Sequence, residues 1–98
     1  MKTIINTPNA PAPIGPYNQA VLVDNTLYAS GQIALDPKTM ELVTDSIQKE
    51  TQQVMQNIEQ VLKAASMDFS HVVKASIFIS DMDDFAAINE VYGNYFDE

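Results

Sequence analysis

The chain contains no cysteine and, among its five basic residues, no arginine. Without cysteine there are no disulfides, no thiolate metal ligands and no cysteine nucleophile. Without arginine there is no planar guanidinium fork, the group that holds a carboxylate through two parallel hydrogen bonds. Glycine is scarce as well, with three scattered residues and no phosphate-cradling loop. His71 is the lone histidine, so a histidine metal site or a nucleophile–base pair lacks its second member; a surface or loop position is expected. No apolar run approaches membrane-spanning length. Residues 1–6 carry a lysine, but Asn6, Thr7 and Pro8 interrupt the apolar run a secretory leader needs. Five lysines against thirteen acids leave a net charge of −8 at pH 7, which opposes binding to nucleic-acid phosphates and to anionic membranes. The expectation is a cytoplasmic protein without membrane or nucleic-acid partner and without metal or cofactor.

What is present describes one small domain of 98 residues, 46% apolar, of a size at which self-association often supplements a limited core. Residues 2–5 read as a short strand. Pro8, Pro11, Pro13 and Pro16 then exclude helix and ladder pairing. Residues 19–23 and 26–30 read as a hairpin about Asp24-Asn25, residues that tolerate positive φ. Residues 36–39 carry a turn signal. Residues 46–65 form the strongest element, a helix with Ile47, Val54, Met55, Ile58, Val61, Leu62 and Ala65 on one stripe. Asp45, with Gln48 three residues on, fits its N-terminal cap. Residues 72–80 are β-branched and apolar enough for a mostly buried strand. A second helix begins near Asp83, with Phe85, Ile88, Val91, Tyr92, Tyr95 and Phe96 as its stripe. The order β-β-β-α-β-α defines an α+β fold, and the chain then stops with Asp97 and Glu98 at the negative end of a helix dipole. A further return to the sheet is expected, so the C-terminus reads as incomplete or as completed by another chain.

Individual residues point weakly to chemistry. Tyr17 follows Gly15-Pro16, a turn-like pair that can aim its hydroxyl at a ligand or a water, although a tyrosine in such a place is more often packing. Ser30-Gly31 ends a strand and can present a hydroxyl and a backbone N–H to a carboxylate or carbonyl. Asn89 lies beside the stripe of the second helix, where it can bond a carbonyl or face solvent. The run Asp81-Met82-Asp83-Asp84 lacks the alternation of a calcium loop and reads as helix capping.

Together, the stretches 9–17 (through Ile14-Gly15-Pro16-Tyr17), 28–33 (Tyr28-Ala29-Ser30-Gly31-Gln32-Ile33), Asp36-Pro37-Lys38, 73–85 and Ile88-Asn89 with Tyr92 are co-linear over essentially the whole chain. In this they resemble the reactive intermediate deaminases, the RidA or YjgF-like family, called endoribonuclease L-PSP in older naming. The resemblance implies a chorismate-mutase-like fold, a mixed sheet with two helices on one face. It also implies a homotrimer built on a central barrel, with three clefts between subunits. The implied activity is hydrolysis of 2-imino and enamine acids, such as 2-iminobutanoate and 2-iminopropanoate, to 2-oxo acids and ammonia. Tyr17 carries over as the catalytic hydroxyl near the attacking water. Ser30, Gly31 and Asn89 carry over as substrate-binding positions, with Gln32 and Ile33 beside them in the wall.

The departures matter. The family's carboxylate-binding arginine and a later acidic residue lie after the second helix, in segments this sequence does not contain. Met40 and Ser66 stand where the family has turn-forming glycines. Loss of a charge-assisted contact costs roughly 1.5–3 kcal/mol, about tenfold to a hundredfold in binding. The expectation is therefore a single deaminase-like domain over 1–98, incomplete at its C-terminus, with impaired activity. The alternatives are a non-catalytic trimeric small-acid-binding or chaperone-like module and, disfavoured by acidity, a ribonuclease or translation inhibitor.

Overall fold

The structure, a computed structural model, describes residues 2–13, 18–77 and 81–96. Three short strands, β1 (Lys2–Ile5), β2 (Ala20–Val23) and β3 (Thr26–Ala29), form an antiparallel sheet in the order β1-β2-β3. The β2–β3 hairpin closes at the expected turn, where Asp24 takes the left-handed conformation at φ 53°. Register places Ile5, Ala20 and Ala29 opposite one another and Thr3, Leu22 and Leu27 beside them on the same face. The opposite face carries the row Ile4–Val21–Tyr28, with Ile4 51% and Tyr28 63% exposed.

Helix α1 (Ile47–Ala64) covers the inner face of the sheet: Val61 packs with Ala10 and Ala20, and Ile5 and Leu27 close around them. Its start lies one residue later than the Asp45 cap expected from sequence. Ser46 is extended at φ −158° and its hydroxyl accepts the Lys49 N–H, whereas Asp45 reaches the Lys49 ammonium at 3.9 Å on the surface. Serine wins because its oxygen sits directly at the first unpaired amides, where a cap must be. The helix ends in a Schellman arrangement: Ser66 N–H donates to Lys63 O at 2.9 Å and Met67 N–H to Leu62 O at 2.8 Å, with Ser66 left-handed at φ 60°. Met40, in the turn after Asp36, is left-handed as well, at φ 59°. Both are positions where the resemblance implied that glycine is usual.

Helix α2 (Phe85–Gly93) follows a 3-10 turn over Met82–Asp84 and packs against α1. Asp81 accepts the Asp83 N–H at 2.9 Å, the capping role expected of that acidic run. Ile88 is buried, while Phe85 is 51% exposed. Tyr95 and Phe96 lie past the helix and stack with Phe69, at centroid separations of 5.3 and 5.2 Å. Phe69 belongs to a second 3-10 turn, Phe69–His71.

The expected buried strand over 72–80 does not form in its described part. Residues 72–77 are in no strand, and Val73 is 99% and Ile77 48% exposed; Phe78, Ile79 and Ser80 lie outside the described residues. The described sheet is consequently antiparallel throughout instead of mixed. β-propensity expresses fit to a half-buried pleated surface, and a β-branched run becomes a strand only beside a ladder partner. Among the described residues it pairs with no strand.

Candidate functional site

Between the proline-rich segment and the end of β3 lies an open cavity of about 230 Å³. Pro11, Ala12 and Pro13 form one wall, Asn18 and Gln19 the floor, and Ser30, Gly31, Gln32, Ile33 and Leu35 the other wall. The four wall residues expected from the sequence, Ser30 through Ile33, are thus brought together in one concavity. Tyr17 lies outside the described residues, immediately before the floor residue Asn18. Asn89 is exposed on α2 and is not among the residues lining this cavity.

Ser30 is tied twice to the start of β2: its N–H donates to Gln19 O at 2.9 Å and its hydroxyl to Asn18 O at 2.7 Å. The hydroxyl proton is therefore committed, and its oxygen lone pairs are available to accept from a ligand N–H. Among the described residues, and apart from its chain neighbours, Gly31 has no atom within 4 Å of where a Cβ would stand. Among the described residues, no backbone carbonyl accepts the N–H groups of Gly31, Gln32 or Ile33. Amides without an acceptor in the protein remain available as donors to a ligand that enters the cavity. Apart from a long contact from the Gln32 amide to Ser30 O at 3.4 Å, this wall has few internal commitments. The arrangement suits a small planar acid whose carboxylate faces N–H groups and whose nitrogen faces the Ser30 oxygen.

Two buried amides, Gln19 (4% exposed) and Asn57 (1%), hold the walls and were not singled out from the sequence. Gln19 Nε2–H donates to Thr7 O, Ala10 O and Pro11 O, at 3.0, 3.2 and 2.9 Å, and Gln19 Oε1 accepts the Thr7 N–H. Asn57 Nδ2–H donates to Ile33 O at 3.1 Å and Leu35 O at 2.9 Å, while its Oδ1 accepts from Gln53 Nε2–H at 3.0 Å. The sequence held one usable signal. Asn57 stands three residues after Val54 and four before Val61, on the apolar stripe of α1, and a polar group there requires partners.

The groups with displaced titration lie elsewhere. The Ser70 hydroxyl and backbone N–H hold the Asp68 carboxyl below its ordinary range, and burial, then the Glu59 charge, raises the Tyr95 phenol. His71 is exposed on its turn, and its Nδ1 accepts the Asp68 N–H at 3.1 Å. The same nitrogen lies 3.3 Å from Asp68 Oδ1. No cluster of metal-ligating side chains occurs among the described residues. No described helix is long and apolar enough to cross a membrane.

Comparison with known proteins gives a consistent set of matches. The profile of the family described as endoribonuclease L-PSP matches residues 7–98. The 2-iminobutanoate/2-iminopropanoate deaminase of Capra hircus is 50% identical over 96 residues, 98% of this chain and 70% of that protein. The human enzyme of the same name is 46% identical over 96 residues, again 98% of this chain and 70% of its own length. Among solved structures, a Rid family protein of Yersinia pestis superposes with a TM-score of 0.95 at 44% identity, covering 98% of this chain and 76% of its own. Escherichia coli TdcF, solved with bound serine, gives 0.92 at 37% identity, covering 96% of this chain and 73% of its own.

Proposed function

This chain belongs to the endoribonuclease L-PSP family, and on that premise we propose that it is a deaminase hydrolysing 2-imino and enamine acids to 2-oxo acids and ammonia. Relatives that are 46–50% identical over nearly the whole chain bear the name 2-iminobutanoate/2-iminopropanoate deaminase. The observation that carries the reading onto this molecule is that the consecutive residues Ser30, Gly31, Gln32 and Ile33 line a single cavity, and the amides of the last three have no backbone acceptor among the described residues. TdcF with bound serine supports a ligand that carries a carboxylate and a nitrogen on the same carbon.

In the proposed reaction, water adds to the imine carbon to give a carbinolamine, which expels ammonia and leaves the 2-oxo acid. The chemistry needs positioning and polarisation more than a strong base, because the imine carbon is already electrophilic. Amides 31–33 hold the carboxylate, the Ser30 oxygen accepts from the imine nitrogen, and the Tyr17 hydroxyl orients the attacking water. Gln32 and Ile33 shape the wall, and Asn89 joins the cleft from a neighbouring subunit. No cofactor or metal enters this scheme. Within residues 1–98, which hold no arginine, the partners this scheme gives the carboxylate are backbone amides.

The proposal extends to a homotrimer with clefts between subunits and to a cytoplasmic location. The apolar row Ile4–Val21–Tyr28 on the open sheet face supports the first, since an antiparallel sheet with one covered face normally turns polar residues outward. A chain without cysteine is compatible with the second. Residues 1–98 are taken as one deaminase-like domain, matching the curated relatives over 70–78% of their length. The test is the rate at which 2-oxobutanoate appears from enzymatically generated 2-iminobutanoate. Acceleration over the spontaneous rate is expected, and its absence removes the assignment.

A further inference from the structure

We infer that Gln19 and Asn57 are positioning residues, two buried amide clamps that fix the opposite walls of the substrate cleft. The inference rests on the deaminase reading for its consequence in catalysis, but its geometry is independent of it. The first wall has no ladder, and the second has only the single bridge Leu35–Leu42 at its far end, with the Val43 N–H on Ala34 O at 2.7 Å. The first, Pro11 to Pro13, lies in a segment whose prolines have no N–H, so the carbonyls of Thr7, Ala10 and Pro11 need donors from elsewhere. The two Nε2 protons of Gln19 serve all three carbonyls, at 2.9–3.2 Å, from a side chain that is 4% exposed. The second wall leaves β3 after Ala29 and has no strand assignment through Ala34. There the two Nδ2 protons of Asn57 each take one carbonyl, Ile33 O and Leu35 O, which straddle the buried Ala34.

The two clamps share a design. Each is a planar amide with its donors on loop carbonyls and its oxygen satisfied as well, Gln19 by Thr7 N–H and Asn57 by Gln53. Each is anchored at a regular element, Gln19 immediately before β2 and Asn57 in the middle of α1. The width of the cleft is thereby referred to the sheet on one side and to the helix on the other. The Gln19 backbone adds a link between the walls, because its carbonyl accepts the Ser30 N–H at 2.9 Å. An apolar side chain at either site would fill similar space and remove these donors; Ile33 O would keep the Leu35 N–H at 2.8 Å, but Leu35 O and the Thr7, Ala10 and Pro11 carbonyls would lose theirs, so the wall would move to find water.

The experiment compares Asn57→Leu and Gln19→Leu with Thr51→Val. Thr51 is a buried residue of α1 whose hydroxyl, among the described residues, bonds only Ile47 O, one turn back on its own helix, and it is not among the residues lining the cavity. All three changes lower the melting temperature, but only the clamp variants should lose kcat/KM, by about tenfold to a hundredfold, with KM rising as the wall amides leave register. Amide shift changes in ¹H–¹⁵N spectra should concentrate at 30–35 for Asn57→Leu and at 7–13 for Gln19→Leu. Should a variant fail to fold, slow exchange of the wild-type side-chain NH₂ protons, relative to those of a solvent-exposed asparagine, reports the clamp directly. Equal loss of kcat/KM in Thr51→Val, shifts spread evenly over the molecule, or free exchange of the Gln19 and Asn57 amides would overturn the inference. A wild type that does not accelerate imine hydrolysis would remove the deaminase reading alone, and the amide shifts and exchange would still decide the clamp.

Discussion

Replacing Ser66 by glycine should stabilise the protein, and the size of the gain follows from the end of α1. Ser66 closes a Schellman motif from the left-handed region at φ 60°, with both of the motif's hydrogen bonds formed. A Cβ in that conformation crowds the carbonyl that follows it, at a cost of about 1–2 kcal/mol. Glycine removes the Cβ but gives the unfolded chain more freedom, which returns about 0.4–1 kcal/mol. The net gain is about 0.5–1 kcal/mol, equivalent to roughly 2–8 °C in melting temperature for a domain of this size. Thermal and urea unfolding followed at 222 nm measure it, and the urea slope should not change. Ser66→Ala is the internal control: it keeps the Cβ, so it should shift stability little, since the serine hydroxyl makes no hydrogen bond among the described residues. A glycine variant no more stable than the alanine variant would refute the claim that backbone strain is stored at this cap.

Gly31→Ala should leave folding stability unchanged or slightly raised, because among the described residues its Cβ would meet nothing but its chain neighbours within 4 Å. It should nevertheless raise KM for 2-iminobutanoate severalfold, since that empty space is where the ligand approaches the amides; an unchanged KM would remove Gly31 from the site. Ile4→Lys combined with Tyr28→Lys should dissociate any assembly formed on the open sheet face, read as molecular mass by sedimentation equilibrium, because each large apolar side chain buried contributes about 1.5–3 kcal/mol. An assembly of unchanged mass would assign the interface elsewhere. Asp68 has its carboxyl held low in the folded state, chiefly by Ser70, so its contribution to stability is present above the ordinary carboxylate range and lost as pH falls through the lowered value. The stability difference between the wild type and Asp68→Asn should therefore shrink between pH 7 and pH 3, and a difference that grew on acidification would contradict this.

The elements whose signals are local were legible in the amino-acid order. The hairpin about Asp24-Asn25 and the helix stripe through Met55, Val61 and Leu62 depend on residues that are neighbours along the chain, and both formed where expected. Ser30 to Ile33, expected from the family resemblance as binding positions, line one cavity because they are one continuous segment, and their role there is part of the proposal. Local competition was harder to read: Ser46 displaced Asp45 as the cap because a shift of one residue decides which oxygen meets the first free amides. Residues 72–77 carry strong strand character yet pair with nothing among the described residues, because a strand exists only through a second segment that propensity does not name. Only the tertiary structure could select Gln19 and Asn57. Their partners lie up to 24 residues away, and whether a buried amide is a burden or a clamp depends on which carbonyls the fold brings within 3 Å of it. The chain by itself thus determined the secondary elements and the chemistry available along each, and folding decided which of those groups face one another across a cavity.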